Sequence, residues 1–79
     1  MHLEIITVER SLYSGNVKSV TVPGAKGSFT ILKNHAPIIS NLTKGIIKFK
    51  TNDDEEKSMN VHTGFVKQVA NTITICINP

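Results

Sequence analysis

Residues 27–40 read GSFTILKNHAPIIS, and this stretch decides the fold. In its first half Phe29 and Ile31 alternate with Ser28 and Thr30, which is the two-residue period of a strand with one buried face. The KNHAP that follows predicts a corner, because asparagine tolerates left-handed backbone and proline holds the preceding residue extended. Apolar sequence resumes directly after it. A strand, a stiff corner with an exposed histidine and a second strand would present a binding loop at one end of a β-structure.

The same alternation recurs on both sides of this stretch, and no window shows the 3.6-residue apolar period of a helix. Turn-forming residues separate the apolar segments. The predicted strands are His2–Val8, Asn16–Val22 with a bulge near Lys18, a strand opened by Gly45, Lys57–His62, Phe65–Ala70 and Thr72–Ile77. The predicted turns lie at 14–16, at Pro23–Gly24, at 51–56 and at Ala70–Asn71. The sequence therefore predicts an all-β fold, a small antiparallel β-sandwich of about eight to ten short strands.

Length and composition set further bounds. The 79 residues predict one domain spanning residues 1–79, too small for a deep active-site cleft. No apolar run approaches the roughly 20 residues that cross a bilayer, and Glu4 in the first residues argues against a signal peptide. The single cysteine, Cys76, predicts a reducing cytoplasm. The formal charge of +3 is dispersed, which favours solubility over a nucleic-acid partner.

Candidate catalytic and metal-binding residues are few. Cys76, His35 and His62 suggest a cysteine–histidine pair, but a reactive thiolate usually needs a helix N-terminus, and none is predicted. The histidines lack the spacing of metal ligands, and the acidic run Asp53–Glu56 lacks the alternating ligands and central glycine of a calcium loop. We interpret this run as a solvated hairpin tip. No catalytic residue, metal or cofactor is predicted.

A lysine-bearing strand offers an alternative. Lys44, Lys48 and Lys50 share one face, which is compatible with a small nucleic-acid-binding β-barrel. Phe49 lies on the opposite face, however, so basic and aromatic side chains do not interleave as single-stranded nucleic acid requires. A solvated lysine face is the favoured interpretation, and nucleic-acid binding is the alternative.

The order of several short motifs resembles a known family. These motifs are Tyr13–Gly15, Val20–Gly24, Gly27–Leu32, His35–Pro37, Gly45 and Gly64–Val66. Together they resemble the N-terminal domain of the epsilon subunit of F-type ATP synthase over nearly the whole chain. The most specific part is the run from Gly27 to Ile39. The fold that the resemblance implies is a β-sandwich.

The resemblance implies a non-catalytic subunit of the rotary central stalk, which docks the gamma subunit onto the membrane c ring and supports proton-driven ATP synthesis. It implies a peripheral position on the cytoplasmic face of a bacterial inner membrane, reached only through the complex. By the same resemblance the gamma side is formed by His35, Ile38, Ser40 and Leu42. The c-ring side is formed by Lys26, Gly27 and Ser28.

The chain departs from the family in two respects. Ser28 stands where an acidic residue is common, and Lys33–Asn34 where Pro-Gly is common, so the polar contact with the ring is expected to differ. The family's C-terminal helical hairpin, which restrains ATP hydrolysis and in some members binds ATP, has no counterpart after Pro79. We therefore carry over neither inhibition nor nucleotide binding.

Overall fold

The computed structural model describes residues 1–78, and these form eight β-strands joined by short turns, with no helix among them. The strands are β1 (His2–Ile6), β2 (Ser11–Gly24), β3 (Gly27–Leu32), β4 (Ile38–Leu42), β5 (Gly45–Thr51), β6 (Glu56–Val61), β7 (Thr63–Val69) and β8 (Thr72–Asn78). The all-β prediction and the strand number are confirmed. No helix of the described residues is long and apolar enough to cross a membrane.

The strands follow the hydrogen-bonded order β1-β8-β7-β4-β2-β5-β6, and β3 pairs with β2 alone. The long strand β2 joins the two layers of the sandwich, because its first half pairs with β1 and its second half with β3 and β5. Every pair is antiparallel except one. β1 runs parallel to β8, in register from His2–Thr72 to Ile6–Cys76, and this is the one parallel pair of a sandwich that is otherwise antiparallel, as predicted.

The core is formed by the inward positions of both layers. On β8 Ile73, Ile75 and Ile77 are buried while the threonines between them are not, as the alternation predicted. The other fully or nearly fully buried apolar residues are Leu3, Ile5, Val17, Val20, Val22, Ile31, Leu42, Ile47, Phe49, Val61 and Val66. Two polar side chains, Thr51 and Gln68, are also buried, and Oε1 of Gln68 has no hydrogen-bond partner within the described residues.

Several local predictions are confirmed. The register of β2 against β5 shifts between Val17 and Ser19, which is the bulge expected near Lys18. The hairpin at Ala70–Asn71 has positive φ at both residues, 51° and 62°, as the tight turn between β7 and β8 requires. Asn34 also has a positive φ, 65°.

Other local predictions were wrong. Residues Ser14–Asn16 form no turn and lie inside β2, because pairing with β1 keeps them extended. The first strand ends at Ile6, where Thr7 Oγ1 accepts hydrogen bonds from the backbone of Glu9 and Arg10 and bends the chain. β2 runs through Pro23 and Gly24, so the turn falls at residues 25–26 and the positive φ at Gly27.

Candidate functional site

We call residues 33–37 the His35 corner, and hydrogen bonds hold it in one shape. The backbone N–H of Asn34 donates to Oδ1 of Asn71 at 3.2 Å, and the N–H of His35 donates to the carbonyl of Leu32 at 3.2 Å. The carbonyl of Asn71 accepts in turn from the N–H of His2 at 2.9 Å. The corner is therefore tied to the β7–β8 turn and to the start of β1, with His35 exposed on its surface.

The residues predicted to face gamma do not all reach the surface. Ile38 and Ser40 are half-buried on the inward side of β4, and Leu42 follows them on that side. Leu42 is only 5% exposed and belongs to the core, so it has almost no side-chain surface to offer a partner. The outward side of β4 instead carries Ile39, which is 75% exposed, and Asn41.

Ile39 extends a surface that we call the outer apolar face, formed by Ile6, Ile39, Phe65, Val69 and Cys76. The strand registers place Phe65 beside Asn41 on one side and Cys76 on the other, and Cys76 beside Ile6. Phe65 and Val69 are 45% and 46% exposed. Glu4, Thr74 and Lys67 form a polar row through the same face. This row separates Val69 from Phe65 and reaches Ile39, whose direct neighbour is Lys67. Exposed apolar side chains interspersed with a few polar ones on one sheet are typical of a protein-binding surface.

A groove of about 610 Å³ borders this face. Thr7–Arg10 and Leu12 form one wall, and Phe65 and Cys76 form part of the other. The sequence analysis did not predict the outer apolar face, although the alternation of side chains along β7 was compatible with it. The alternation of Phe65, Lys67 and Val69 with Val66 and Gln68 allows either set to point inward, and the structure buries the set that contains the glutamine.

The residues predicted to face the c ring lie at the tip of the β2–β3 hairpin, and all three are exposed. Together with Ala25 and Phe29 they line one side of a second groove, of about 510 Å³, whose other side is formed by Ile39, Ser40 and Asn41. The structure therefore brings Lys26, Gly27 and Ser28 to the same groove as Ser40, which was predicted to face a different partner.

The lysine face has the predicted geometry at Lys48 and Lys50, whereas Lys44 lies in the bend before β5 and not on the strand. Lys48 and Lys50 are exposed on β5, while Phe49 between them is buried and packs on Tyr13 with ring centroids 4.5 Å apart. The cross-strand neighbours of Lys48 are Thr21 and Ser58. No aromatic ring of these neighbouring strands stands among the lysines for a base to stack on, so the structure does not favour the nucleic-acid alternative.

The described part of the chain shows no catalytic or metal-binding arrangement. No group of three or more His, Cys, Asp or Glu side chains within residues 1–78 is placed to hold a metal ion. The free thiol of Cys76 is half-buried on the outer apolar face, and the groove beside it contains no histidine.

One ion pair connects the β2 bulge to the acidic hairpin tip. Lys18 Nζ lies 2.7 Å from Asp54 Oδ1, and both side chains are largely exposed. The hydrogen bond and the charge of Lys18 lower the pKa of Asp54 from its ordinary value of 3.8. This tip also places Asp54 at a positive φ of 63°.

We expect Lys18→Ala to raise the pKa of Asp54 toward its ordinary value, measured by NMR titration of the carboxyl group. Because the pKa is lower in the folded chain, the contribution to stability is present above the unfolded pKa and is lost as pH falls through the folded pKa. The stability difference between wild type and Lys18→Ala should therefore be small at pH 7, shrink with added salt, and vanish in acid. An unchanged Asp54 titration in the variant would contradict the pairing.

The comparisons with known proteins agree with the fold. Residues 1–78 match the family model described as the ATP synthase, Delta/Epsilon chain, beta-sandwich domain. The chain is 36% identical over 75 residues to the ATP synthase epsilon chain of Leptospira borgpetersenii, covering 95% of this chain and 58% of that protein. It is 39% identical over 75 residues to the epsilon chain of Wolinella succinogenes, covering 95% of this chain and 57% of that one.

Two solved structures share the fold at low sequence identity. One is a chain of the Euglena gracilis mitochondrial ATP synthase, with a TM-score of 0.85 and 15% identity over 95% of this chain and 48% of that one. The other is a chain of the Tetrahymena thermophila central stalk and c ring, with a TM-score of 0.82 and 16% identity over 100% of this chain and 63% of that one. The chain thus spans less than two thirds of each relative, and it belongs to the ATP synthase delta/epsilon chain family through that family's beta-sandwich domain.

Proposed function

We propose that this chain is a non-catalytic subunit of the central stalk of a rotary F-type ATP synthase, docked on the gamma subunit and standing on the c ring. Family membership supports the assembly, and the outer apolar face is the observation that carries the docking role. Its place would be peripheral, at the cytoplasmic face of a bacterial inner membrane, held there by the complex. Its contribution would be mechanical, because a closely packed sandwich core has low compressibility and passes force between neighbours with little deformation.

The proposed gamma contact is the outer apolar face together with the adjoining His35 corner. Ile39 and Phe65 supply exposed apolar area, and His35 supplies a polar group on a corner fixed by hydrogen bonds. A preorganised surface binds better than a mobile one, since less conformational freedom is lost on association. Ile38 and Ser40 lie on the same strand as Ile39 but are half-buried on its inward side. Leu42 is buried in the core and would support the contact only by keeping the strand in place.

The proposed c-ring contact is the tip of the β2–β3 hairpin, at Lys26, Gly27 and Ser28. These residues lie where two strands turn, and Gly27 has a φ of 129° that suits glycine far better than a residue with a side chain. The hairpin is joined to β4 by backbone hydrogen bonds from Ala25 to Asn41 and from Thr43 to Pro23, both 2.9 Å long. A load on the tip would thereby pass directly into the strand that carries Ile39.

Binding of the gamma subunit tests this proposal. We expect Ile39→Glu to weaken binding by on the order of 2 kcal/mol, about thirtyfold, because a carboxylate would be buried without a partner in an apolar contact. Ser40→Arg should also weaken gamma binding. Because Ser40 is half-buried, this substitution is expected to destabilise the fold more than Ile39→Glu does. Affinity would be measured by calorimetry with purified gamma, and folding by thermal melting.

Lys50→Glu is the control, because it changes the charge of an exposed side chain on the lysine face. It should leave gamma binding nearly unchanged. Normal gamma affinity of a folded Ile39→Glu variant would contradict the proposed face, and loss of oligonucleotide binding in Lys50→Glu would instead favour the nucleic-acid alternative.

A further inference from the structure

Strand β3 has one edge without a partner among the described residues. It pairs only with β2, across a hairpin in which Gly24 faces Gly27 on either side of a two-residue turn. In such a hairpin the flanking pair is hydrogen-bonded and the bonding residues then alternate along the strand. Phe29 therefore directs its backbone N–H and C=O toward β2, while Ser28 and Thr30 direct theirs to the open edge.

The pairing of Pro23 with Ser28 agrees with this assignment. Proline has no N–H to donate, and the Pro23 carbonyl accepts from Thr43 on the side of β2 away from β3. Pro23 and Ser28 are therefore opposite each other without a backbone hydrogen bond between them. The open edge of β3 is a consequence of the hairpin's geometry, not of a local irregularity.

Across the second groove, β4 also has unpaired backbone. Its ladder with β2 contains a single residue pair, Gly24 with Leu42, and the Asn41 carbonyl faces β2 to accept from Ala25. Since alternate residues of a strand direct their backbone groups to the same edge, Ile39 also faces this side. The second groove therefore has the unpaired edge of β4 at Ile39 on one side and residues of β3, among them Phe29, on the other. The free edge of β3 points away from β2 and from this groove.

The other exposed edge of the sheet, β6, differs in its charges. It begins with Glu56 and Lys57 and follows the acidic residues Asp53–Glu55, and charged side chains of this kind discourage a further strand from pairing. β3 carries no charged side chain from Gly27 to Leu32, and Lys26 and Lys33 stand immediately outside its two ends. No acidic residue lies between Arg10 and Asn52. The edge is thus open to a strand and electrostatically suited to an acidic one.

We propose that the free edge of β3 binds an extended, acidic segment of a partner protein, which adds to this edge as a further strand. Backbone hydrogen bonds to Ser28 and Thr30 would supply affinity that depends little on sequence. Carboxylates near Lys26 and Lys33 would set the preference for an acidic segment. This inference goes beyond the docking of gamma and the c ring and does not rest on it. Because Lys26 and Ser28 also belong to the proposed c-ring contact, it concerns the chain while its hairpin tip is not on the ring.

A synthetic peptide, Asp-Thr-Val-Thr-Val-Thr-Asp with blocked ends, serves as the probe, and its Lys-ended counterpart serves as the charge control. We expect the Asp-ended peptide to slow amide hydrogen exchange at Ser28 and Thr30 and to leave the β6 amides unchanged. Lys26→Glu should weaken its binding about fivefold at low salt, the effect of one partly exposed ion pair. The matched variant Lys57→Glu, on the β6 edge, should change it less than twofold.

Thr30→Pro tests the backbone contribution, because it removes a donor from the open edge while no backbone hydrogen bond to β2 is lost. It also removes the 2.8 Å hydrogen bond between the hydroxyl groups of Thr30 and Thr21, so Thr30→Val is the control for that loss. Thr30→Pro should abolish binding of the peptide, and if this variant does not fold, the Lys26→Glu and Lys57→Glu pair decides the matter alone. Equal binding of the two peptides, or slowed exchange at β6 in place of β3, would overturn the proposal. So would concentration-dependent pairing of the chain with itself through β3. Gamma takes no part in the experiment, so these outcomes are independent of the proposed function.

Discussion

Gly64→Ala is expected to destabilise the chain by about 3 kcal/mol, which lies at the upper end of what overpacking costs. A Cβ at this position would collide with the carbonyl oxygen of Cys76 and lie 3.0 Å from Cα of Ile77. Both atoms belong to the backbone of β8, so neither can rotate away as a side chain could. The strands would have to separate at the Gly64–Ile77 pair, where Gly64 also pairs with Leu42.

Urea unfolding of wild type and variant would measure this loss. Gly15→Ala is the matched control, since its Cβ would meet the Tyr13 hydroxyl at 2.9 Å, which is the far end of a side chain that can move. We expect the control to cost less than about 1 kcal/mol. Equal stability of Gly64→Ala and wild type would show that the backbones of β7 and β8 are farther apart at Gly64 than they are in this structure.

Ile75→Ala should produce a loss of similar size for a different reason. Ile75 is fully buried, faces Ile5 of β1 and Val66 of β7 in the strand registers, and contributes to the centre of the core. Its truncation removes apolar contacts and leaves a cavity, which together cost about 2 to 5 kcal/mol. Thermal or urea melts would show the decrease.

Ile39→Ala is the control for this change, because it deletes the same atoms from a side chain that is 75% exposed. It should change the free energy of unfolding by less than about 0.5 kcal/mol. A similar loss in both variants would mean that the inward and outward sides of the strands are wrongly assigned. Phe29→Ala should fall between them, since Phe29 is half-buried and packs against the core.

The sequence predicted those parts of the fold that depend on neighbouring residues. The inward isoleucines of β8, the corner at Asn34, the bulge near Lys18 and the turn at Ala70–Asn71 all follow from alternation or from the local preferences of single residues. The parts that failed depend on distant partners. Ser14–Asn16 looks like a turn by composition, and only pairing with β1 makes it part of a strand.

The candidate site shows the same division. The corner and the exposed hairpin tip were predictable, because both are local turn structures. The burial of Leu42 was not, since the alternation of β4 fits either face and only its position between β2 and β7 decides which one is inside. The outer apolar face combines residues from β1, β4, β7 and β8, which are far apart in the sequence, so the alternation within β7 alone could not define it.

The parallel pairing of β1 with β8 has a consequence for how the chain folds. β1 and β8 are neighbours, with His2 beside Thr72, so the ring of strands closes only after β8 has been synthesised and brought back to β1. Contacts between residues so distant in sequence carry a large loop-closure entropy and make folding slow compared with a helical protein of equal length. During synthesis, β1 would emerge from the ribosome long before its partner, and its hydrophobic residues would depend on β2 alone for cover until β8 arrived.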